Sequence, residues 1–327
     1  MAIQTNYGKA FEYAVSKAFY EKIHSNGMQV ANTENSKAYI TAKDKFNSLG
    51  FVLQDTMAKA AEAGVDTILK FEPNLSYGQE KIEISIQDDG KGIEGDVSDV
   101  VLKKHDIDWQ VGVSCKHNHT ALKHSRLSDT IDFGQSWLGY PCSDEYWEIV
   151  KKQFGSYRKM IAGLPKAERP QWKEIAPTEF EKSKVVYEPI LIAFKNELLK
   201  LHKDNPDVPK KLIQYLIGRK DFYKVIAVDK ERKTNIQAFN THDTLSIPYG
   251  KIRARHKATN LSNKMPTKIY NISLNDSKTT LIVVMDNGWT LSMRLHNASS
   301  KIEPSLKFDI QLIGVPQSLS VFSSFWN

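Results

Sequence analysis

Asp99 opens the apolar run Val100-Val101-Leu102, and Lys116 closes the extended segment that begins at Trp109. Side chains alternate along such a segment, so Asp108, Gln110, Gly112, Ser114 and Lys116 share one face and Trp109, Val111, Val113 and Cys115 the other. If the two segments pair as neighbours, a carboxylate and an ammonium point into one cleft. Glu12 lies at the flank of an apolar helical stripe, with Gly8 one turn earlier leaving room for its carboxylate to reach across. Asp99 and Glu12 together supply hard oxygen ligands suited to Mg²⁺. Such an ion lowers the pKa of bound water and neutralises charge that develops on a phosphate, which is the chemistry of phosphodiester hydrolysis. Lys116 would orient or deprotonate the attacking water, or offset transition-state charge. A structural salt bridge between Asp99 and Lys116 is the plain alternative.

These groups must be carried by regular elements. Tyr7, Ala10, Phe11, Ala14, Val15, Ala18 and Phe19 recur at three-and-four spacing, which predicts a helix from about Asn6 to His24 ended by Asn26-Gly27. Helical patterns follow at Glu34 to Ser48 and Gln54 to Ala63. Thr67 to Phe71 and Lys81 to Gln87 then read as strands, with Asp88-Asp89-Gly90 as a turn, followed by extended segments at Val97 to Leu102 and Trp109 to Lys116. The expected result is an α/β (α+β) core in which a mixed sheet of about four strands lies behind the N-terminal helix. Helices dominate from Asp144 to Leu216, and strands resume at Phe222 to Val228, Lys268 to Leu274, Thr280 to Met285, Trp289 to Arg294 and Leu306 to Leu312. A helix-breaking Lys-Asp-Asn-Pro-Asp run near Lys200 to Pro209 places the boundary there, giving a core with a helical extension over 1–205 and a basic β-rich recognition region over 206–327.

The 327 residues leave room for about two domains and have the ordinary balance of a globular chain, with 41% hydrophobic and 25% charged residues. Two cysteines, Cys115 and Cys142, cannot build a disulfide framework. No apolar run reaches membrane-spanning length and the N-terminus lacks a signal-peptide core, so a cytoplasmic protein is expected. The net charge of +7 is regional: Lys200 to Lys268 holds 16 Lys/Arg against 6 Asp/Glu, a net of +10, leaving the rest of the chain at −3. A basic region of this kind suits a polyanion, with nucleic acid the leading partner and a solvated lysine-rich surface the alternative.

Several further residues qualify as DNA contacts. Asn118 and His119 follow the Lys116 strand, and Lys123, His124 and Arg126 could hold phosphates from a helix beside the cleft. Lys251, Arg253, Arg255, His256 and Lys257 would line a groove, and Arg253, Arg255 and Arg294 could read guanine edges, with His296 next to the last of them. His117-Asn118-His119 spells HNH only by coincidence. The set Cys115, His117, His119 and His124 has no recognised zinc spacing.

Gly95 to Leu102 followed by Val113-Ser114-Cys115-Lys116 resembles the active-site pattern of the PD-(D/E)XK nuclease superfamily, with Asp99 in the first acidic position and Lys116 in the lysine position. More narrowly, KHNHTALKHSRLSDTIDFGQSWLG from Lys116, YLIGRKDFYKVI from Tyr215 and GWTLSMRLHNASSKIEPSLKFD from Gly288 are similar to the HaeIII family of type II restriction endonucleases. GKAFEYA, from Gly8 to Ala14, resembles the helix that brings an extra glutamate to such sites. The likeness runs over nearly the whole chain. It implies a PD-(D/E)XK-like mixed sheet flanked by helices, catalytic roles for Asp99, Lys116 and Glu12, and Mg²⁺ held by Asp99 and Glu12. It also implies cleavage of double-stranded DNA at the palindrome GGCC to blunt ends, a cognate cytosine methyltransferase as functional partner, and a possible homodimer, since a palindrome has two-fold symmetry. One position departs from the pattern: the usual acidic residue two before the lysine is Ser114, so a second ligand must come from Glu12, Asp96, a backbone carbonyl or water. A structure-specific repair nuclease and a non-catalytic DNA-binding protein on the same scaffold are the rival readings.

Overall fold

Ala10, Phe11, Ala14, Val15, Ala18 and Phe19 are buried along one side of α1 (Ile3–Ser25). The helix gives way at Gly27, whose φ of 77° favours glycine. The computed structural model describes residues 3–88, 97–250, 252 and 259–327. After β1 (Val30–Asn32), the Ser36 hydroxyl accepts from the Tyr39 N–H at 3.1 Å and starts α2 (Lys37–Asn47) three residues later than the helical pattern alone predicts.

α3 (Phe51–Phe71) absorbs Thr67 to Phe71, which its β-branched and aromatic content marks as a strand. Tertiary packing overrides that propensity. Ala60, Ala61, Gly64, Val65 and Ile68 continue a helical stripe into the core, and the Thr67 hydroxyl bonds back to the Ala63 carbonyl at 3.0 Å. A Cβ on Gly64 would stand 2.8 Å from Val225 Cγ1, so glycine lets the helix lie directly on the sheet.

The chain forms two compact units, and neither follows chain order. Residues 1–120, 218–264 and 318–327 make the first; residues 121–217 and 265–317 make the second. The first contains α1 to α3, the single turn α4 (Pro73–Ser76), and β1, β2 (Ile82–Ile86), β3 (Val100–Lys104), β4 (Trp109–His117), β6 (Phe222–Val228), β7 (Lys233–Phe239) and β12 (Ser320–Phe325). Its strands form one seven-stranded sheet in the order β1-β2-β3-β4-β6-β7-β12. β2, β3 and β4 are an antiparallel meander, and β6 then runs parallel to β4. Such a mixed sheet with helices against it agrees with a nuclease-like α/β fold.

The second unit holds β5 (Ala121–Leu127), α5 (Asp144–Ile161), α6 (Trp172–Ile175), α7 (Glu179–Lys182), α8 (Glu188–Asp204), α9 (Val208–Ile217), β8 (Ile269–Leu274), β9 (Thr280–Met285), β10 (Thr290–His296) and β11 (Leu306–Gly314). Its five strands are ordered β5-β11-β10-β9-β8 and are antiparallel throughout. The Lys-Asp-Asn-Pro-Asp run separates α8 from α9, and both helices belong to this unit. Strands that follow residue 206 are shared between the two sheets: β6 pairs with β4, β7 with β6 and β12 with β7, while β8 to β11 join β5. Among the described residues no helix is long and apolar enough to cross a membrane.

Candidate active site

The meander sets the geometry. Val100 pairs with Val113, and the Asp99 N–H donates to the Val113 carbonyl at 2.9 Å, which leaves Asp99 across from Ser114. Ser98, just before it, is buried above Gly112, where a Cβ would stand 2.0 Å from the Ser98 hydroxyl. Glycine at 112 thus fixes the approach of the chain to Asp99.

Three donors converge on Asp99 Oδ2: the Ser114 hydroxyl at 3.1 Å, the Cys115 N–H at 2.7 Å and the Lys116 ammonium at 3.2 Å. None of these bonds uses Oδ1. Burial works against charge on Lys116, but the Asp99 carboxylate outweighs it and holds the amine above its ordinary value. Lys116 is therefore a fixed cation at neutral pH, fitted to stabilise negative charge and to orient a water rather than to take its proton.

Glu12 comes to this centre from α1. Its carboxylate accepts from Lys9 at 2.9 Å and is 6% exposed. Burial first, and the charge of Asp99 second, push its carboxyl up to about 8, with Lys9 and Lys116 pulling the other way. A carboxyl whose ionisation is opposed by burial and by a neighbouring carboxylate is a group that a divalent cation relieves, so Glu12 and Asp99 fit such an ion, Mg²⁺ among them. Among the described residues no three His, Cys, Asp or Glu side chains come together as a metal cluster.

The sign of the Glu12 shift has a thermodynamic consequence. A carboxyl with a folded value near 8 against 4.5 contributes stability that is fully present below about 4.5 and is lost as pH rises through about 8. In metal-free protein at pH 9, Glu12→Gln is expected to melt higher than the wild type by roughly 3 °C or more, with no gain at pH 4, while losing cleavage. Equal melting at pH 9 would show that this carboxyl carries no ionisation cost. Ser114→Ala should be milder, slowing cleavage by roughly 10- to 100-fold, because it removes one hydrogen bond to the Asp99 carboxylate, worth about 1.5–3 kcal/mol, and leaves the Cys115 N–H and Lys116 in place. A loss on the scale of Lys116→Ala would make the hydroxyl a working group.

His117 faces α1, its ring 5.9 Å from Tyr7 and 6.0 Å from Phe11, and pairs with Asp229 at 2.9 Å. Asn118, at φ 57°, donates to Asp229 Oδ2 at 2.9 Å and accepts from the Asp229 N–H at 3.0 Å, so it builds the turn after β4. His119 is exposed beside it. Arg253 and Arg255, with the rest of the Lys251 to Lys257 cluster except Ile252, lie outside the described residues. Asp96 does as well.

Lys123, His124 and Arg126 stand on a strand, β5, and not on the expected helix, because β5 pairs with β11 and buries Ala121, Ser125 and Leu127. Lys123 turns inward to the Tyr215 carbonyl at 3.1 Å, over that residue's ring. Arg126 is exposed and pairs in register with Lys307, which pairs with His296; the next row is His124, Asp309 and Arg294. Arg126, Lys307 and His296 thus stand in the row beside His124, Asp309 and Arg294, and the Asp309 carboxylate lies 3.4 Å from Arg294 and 3.9 Å from His124. Burial and Arg126 hold the Lys307 amine below its ordinary value against the pull of Asp309.

Three members of these groups escaped the sequence reading: Lys9, Lys224 and Lys307. Lys224 lies on β6, paired with Ser114, and is 2% exposed. A lone lysine inside the apolar run Phe222 to Val228 was the available signal, since a strand buried on both faces has no ordinary place for one.

Residues 8–316 match the HaeIII restriction endonuclease family, and the chain belongs to that family of type II restriction endonucleases, site-specific deoxyribonucleases acting on double-stranded DNA. It is 36% identical over 321 residues to the type II restriction enzyme HaeIII of Haemophilus aegyptius, a match covering 98% of this chain and 97% of the relative. No solved structure matches the chain significantly.

Proposed function

We propose that the enzyme hydrolyses the phosphodiester backbone within GGCC to give blunt ends, and that Asp99, Lys116 and Glu12 form its cleaving centre. The observation that carries this reading is the meeting of the Lys116 ammonium with Asp99 Oδ2 at 3.2 Å, inside the field that also raises Glu12. The GGCC site rests on family membership.

Asp99 and Glu12 would hold Mg²⁺, which when bound supplies an acidified water and charge neutralisation at the phosphate. The chain's own residues do the remainder. Lys116 places a fixed positive charge where the scissile phosphate gains negative charge as the water oxygen bonds to phosphorus and the bond to the leaving sugar oxygen breaks. Asp99 orients Lys116 and is itself aimed by the Cys115 N–H and the Ser114 hydroxyl. Lys9 steadies the Glu12 carboxylate.

The basic face of β5, β11 and β10 is the surface that would hold duplex phosphates, with Arg126, Lys307, Arg294 and His296 as contacts; Asn118, His119, Lys123, Arg253 and Arg255 are further DNA-binding candidates. Arg126→Ala and Lys307→Ala should each weaken duplex binding across sequences and reduce the slope of log K against log salt by about 1. An unchanged slope would remove the residue from the phosphate contacts. The palindrome favours a homodimer that cuts one strand per active site, and an active enzyme requires a cognate cytosine methyltransferase to protect the host genome.

The deciding experiment is digestion of a plasmid of known sequence with Mg²⁺, followed by mapping of the ends. Discrete fragments with blunt ends inside GGCC are expected. A smear would point to a structure-specific nuclease, and duplex binding without cutting to a non-catalytic DNA-binding protein; either overturns the proposal.

A further inference from the structure

β6 runs parallel to β4 with Lys224 in register with Ser114. Paired residues in a parallel ladder project to the same face, so Lys224 emerges on the side of the sheet where the Ser114 hydroxyl meets Asp99. Its amine donates to the Thr120 carbonyl at 2.6 Å. Thr120 ends the short segment that leaves β4 after Lys116 and His117. That segment is also fastened at Asn118, whose N–H donates to the Ala227 carbonyl at 2.8 Å and whose side chain is held by Asp229. Lys224 ties this segment from within the sheet. Taking an ammonium to 2% exposure is costly. Burial first and Lys116 second push the amine down to about 7, with Asp99 opposing, which places Lys224 in the field of two members of the proposed cleaving centre.

We infer that Lys224 is a positioning residue for DNA cleavage: by holding the Thr120 carbonyl it sets the path of the chain after Lys116, and so keeps the Lys116 ammonium on Asp99. This rests on the reading of Asp99 and Lys116 as the cleaving centre. An apolar chain of similar volume in its place relieves the burial cost but releases the tie, so stability and activity move apart. Were Lys224 only part of the packing, they would fall together or not at all.

The test is Lys224→Met, with single-turnover cleavage, duplex affinity and melting temperature measured side by side. Expected are a cleavage rate lower by about 100-fold, the scale set by a misplacement near 1 Å, an unchanged duplex affinity, and a melting temperature equal to or above that of the wild type. Cleavage within about threefold of the wild type would overturn the inference, and so would a rate loss accompanied by lower melting. Should Lys224→Met fail to fold, Lys224→Gln, which keeps an N–H for Thr120 and gives up the charge, is measured instead. It should fold and retain more activity than the cleavage-deficient Lys116→Ala; activity equal to the wild type would show that neither the charge nor the reach of the lysine matters. Lys116→Ala is run beside them. If it still cleaves, the reading of the centre fails, whereas an inactive Lys116→Ala beside an active Lys224→Met removes only the role given to Lys224.

Discussion

Lys116→Ala is expected to lower the rate of DNA cleavage by about 10⁴-fold or more while duplex affinity stays within about threefold of the wild type. The side chain is 19% exposed and its partner Asp99 24%, so the pair sits in a partly dry cleft where a fixed charge counts for more than in water. Asp99 keeps the amine charged against the cost of burial, so the substitution removes a permanent cation and not a titrating base. Affinity is spared because one phosphate contact among many is lost, and the basic face of β10, β11 and β5 is untouched. Protein stability should change little, since Asp99 keeps the Cys115 N–H and the Ser114 hydroxyl as donors. Nicking and linearisation of a supercoiled plasmid under single-turnover conditions measure the rate. Turnover within 10-fold of the wild type would take Lys116 out of the chemistry.

Asp99→Ala should be as severe for cleavage and worse for the fold. It removes the acceptor of three donors at once and leaves the Lys116 ammonium without its carboxylate. Losing hydrogen bonds to a charged group costs on the order of 2–3 kcal/mol, which for a unit of this size is a fall in melting temperature of roughly 5 °C or more. Asp99→Asn separates the two effects, because it keeps the shape and an acceptor oxygen while discarding the charge: cleavage should still be lost with most of the stability restored. The same change relieves Glu12 of the like charge that helps to raise its carboxyl, so that group should titrate lower in Asp99→Asn than in the wild type. An Asp99→Ala protein that cuts at an ordinary rate, or melts with the wild type, contradicts this account.

The Asp99 and Lys116 pair was legible because strand alternation puts Ser114 and Lys116 on one face, and two adjacent strands joined by a short connection pair as neighbours. α1 was legible from its three-and-four stripe, and so was Glu12 at its margin. What stayed hidden is what depends on partners distant in sequence. Thr67 to Phe71 has strand chemistry locally and became helical because α3 could bury Val65 and Ile68 against the sheet. The register that sets Lys224 beside Ser114 joins strands separated by α5 to α9, and no local spacing encodes it. Lys123, His124 and Arg126 read as a helix face until β11 supplied the partner that makes them a strand. The Lys-Asp-Asn-Pro-Asp break marks a single point along the chain, whereas contacts divide the chain four times.

That interleaving bears on the order of events during synthesis. The unit that holds Asp99 and Lys116 draws on residues 1–120, 218–264 and 318–327, so its sheet cannot gain β6 and β7 until Phe239 has been made, nor β12 until Phe325. Joining β4 to β6 closes a loop of about 100 residues, a slow step of high contact order. A nascent chain therefore carries Glu12, Asp99 and Lys116 through about 100 further residues before the strand that bonds the exit from β4 is made. If Asp99, Lys116 and Glu12 form the cleaving centre, cutting would begin only after β6 has joined β4, well after those three residues are made.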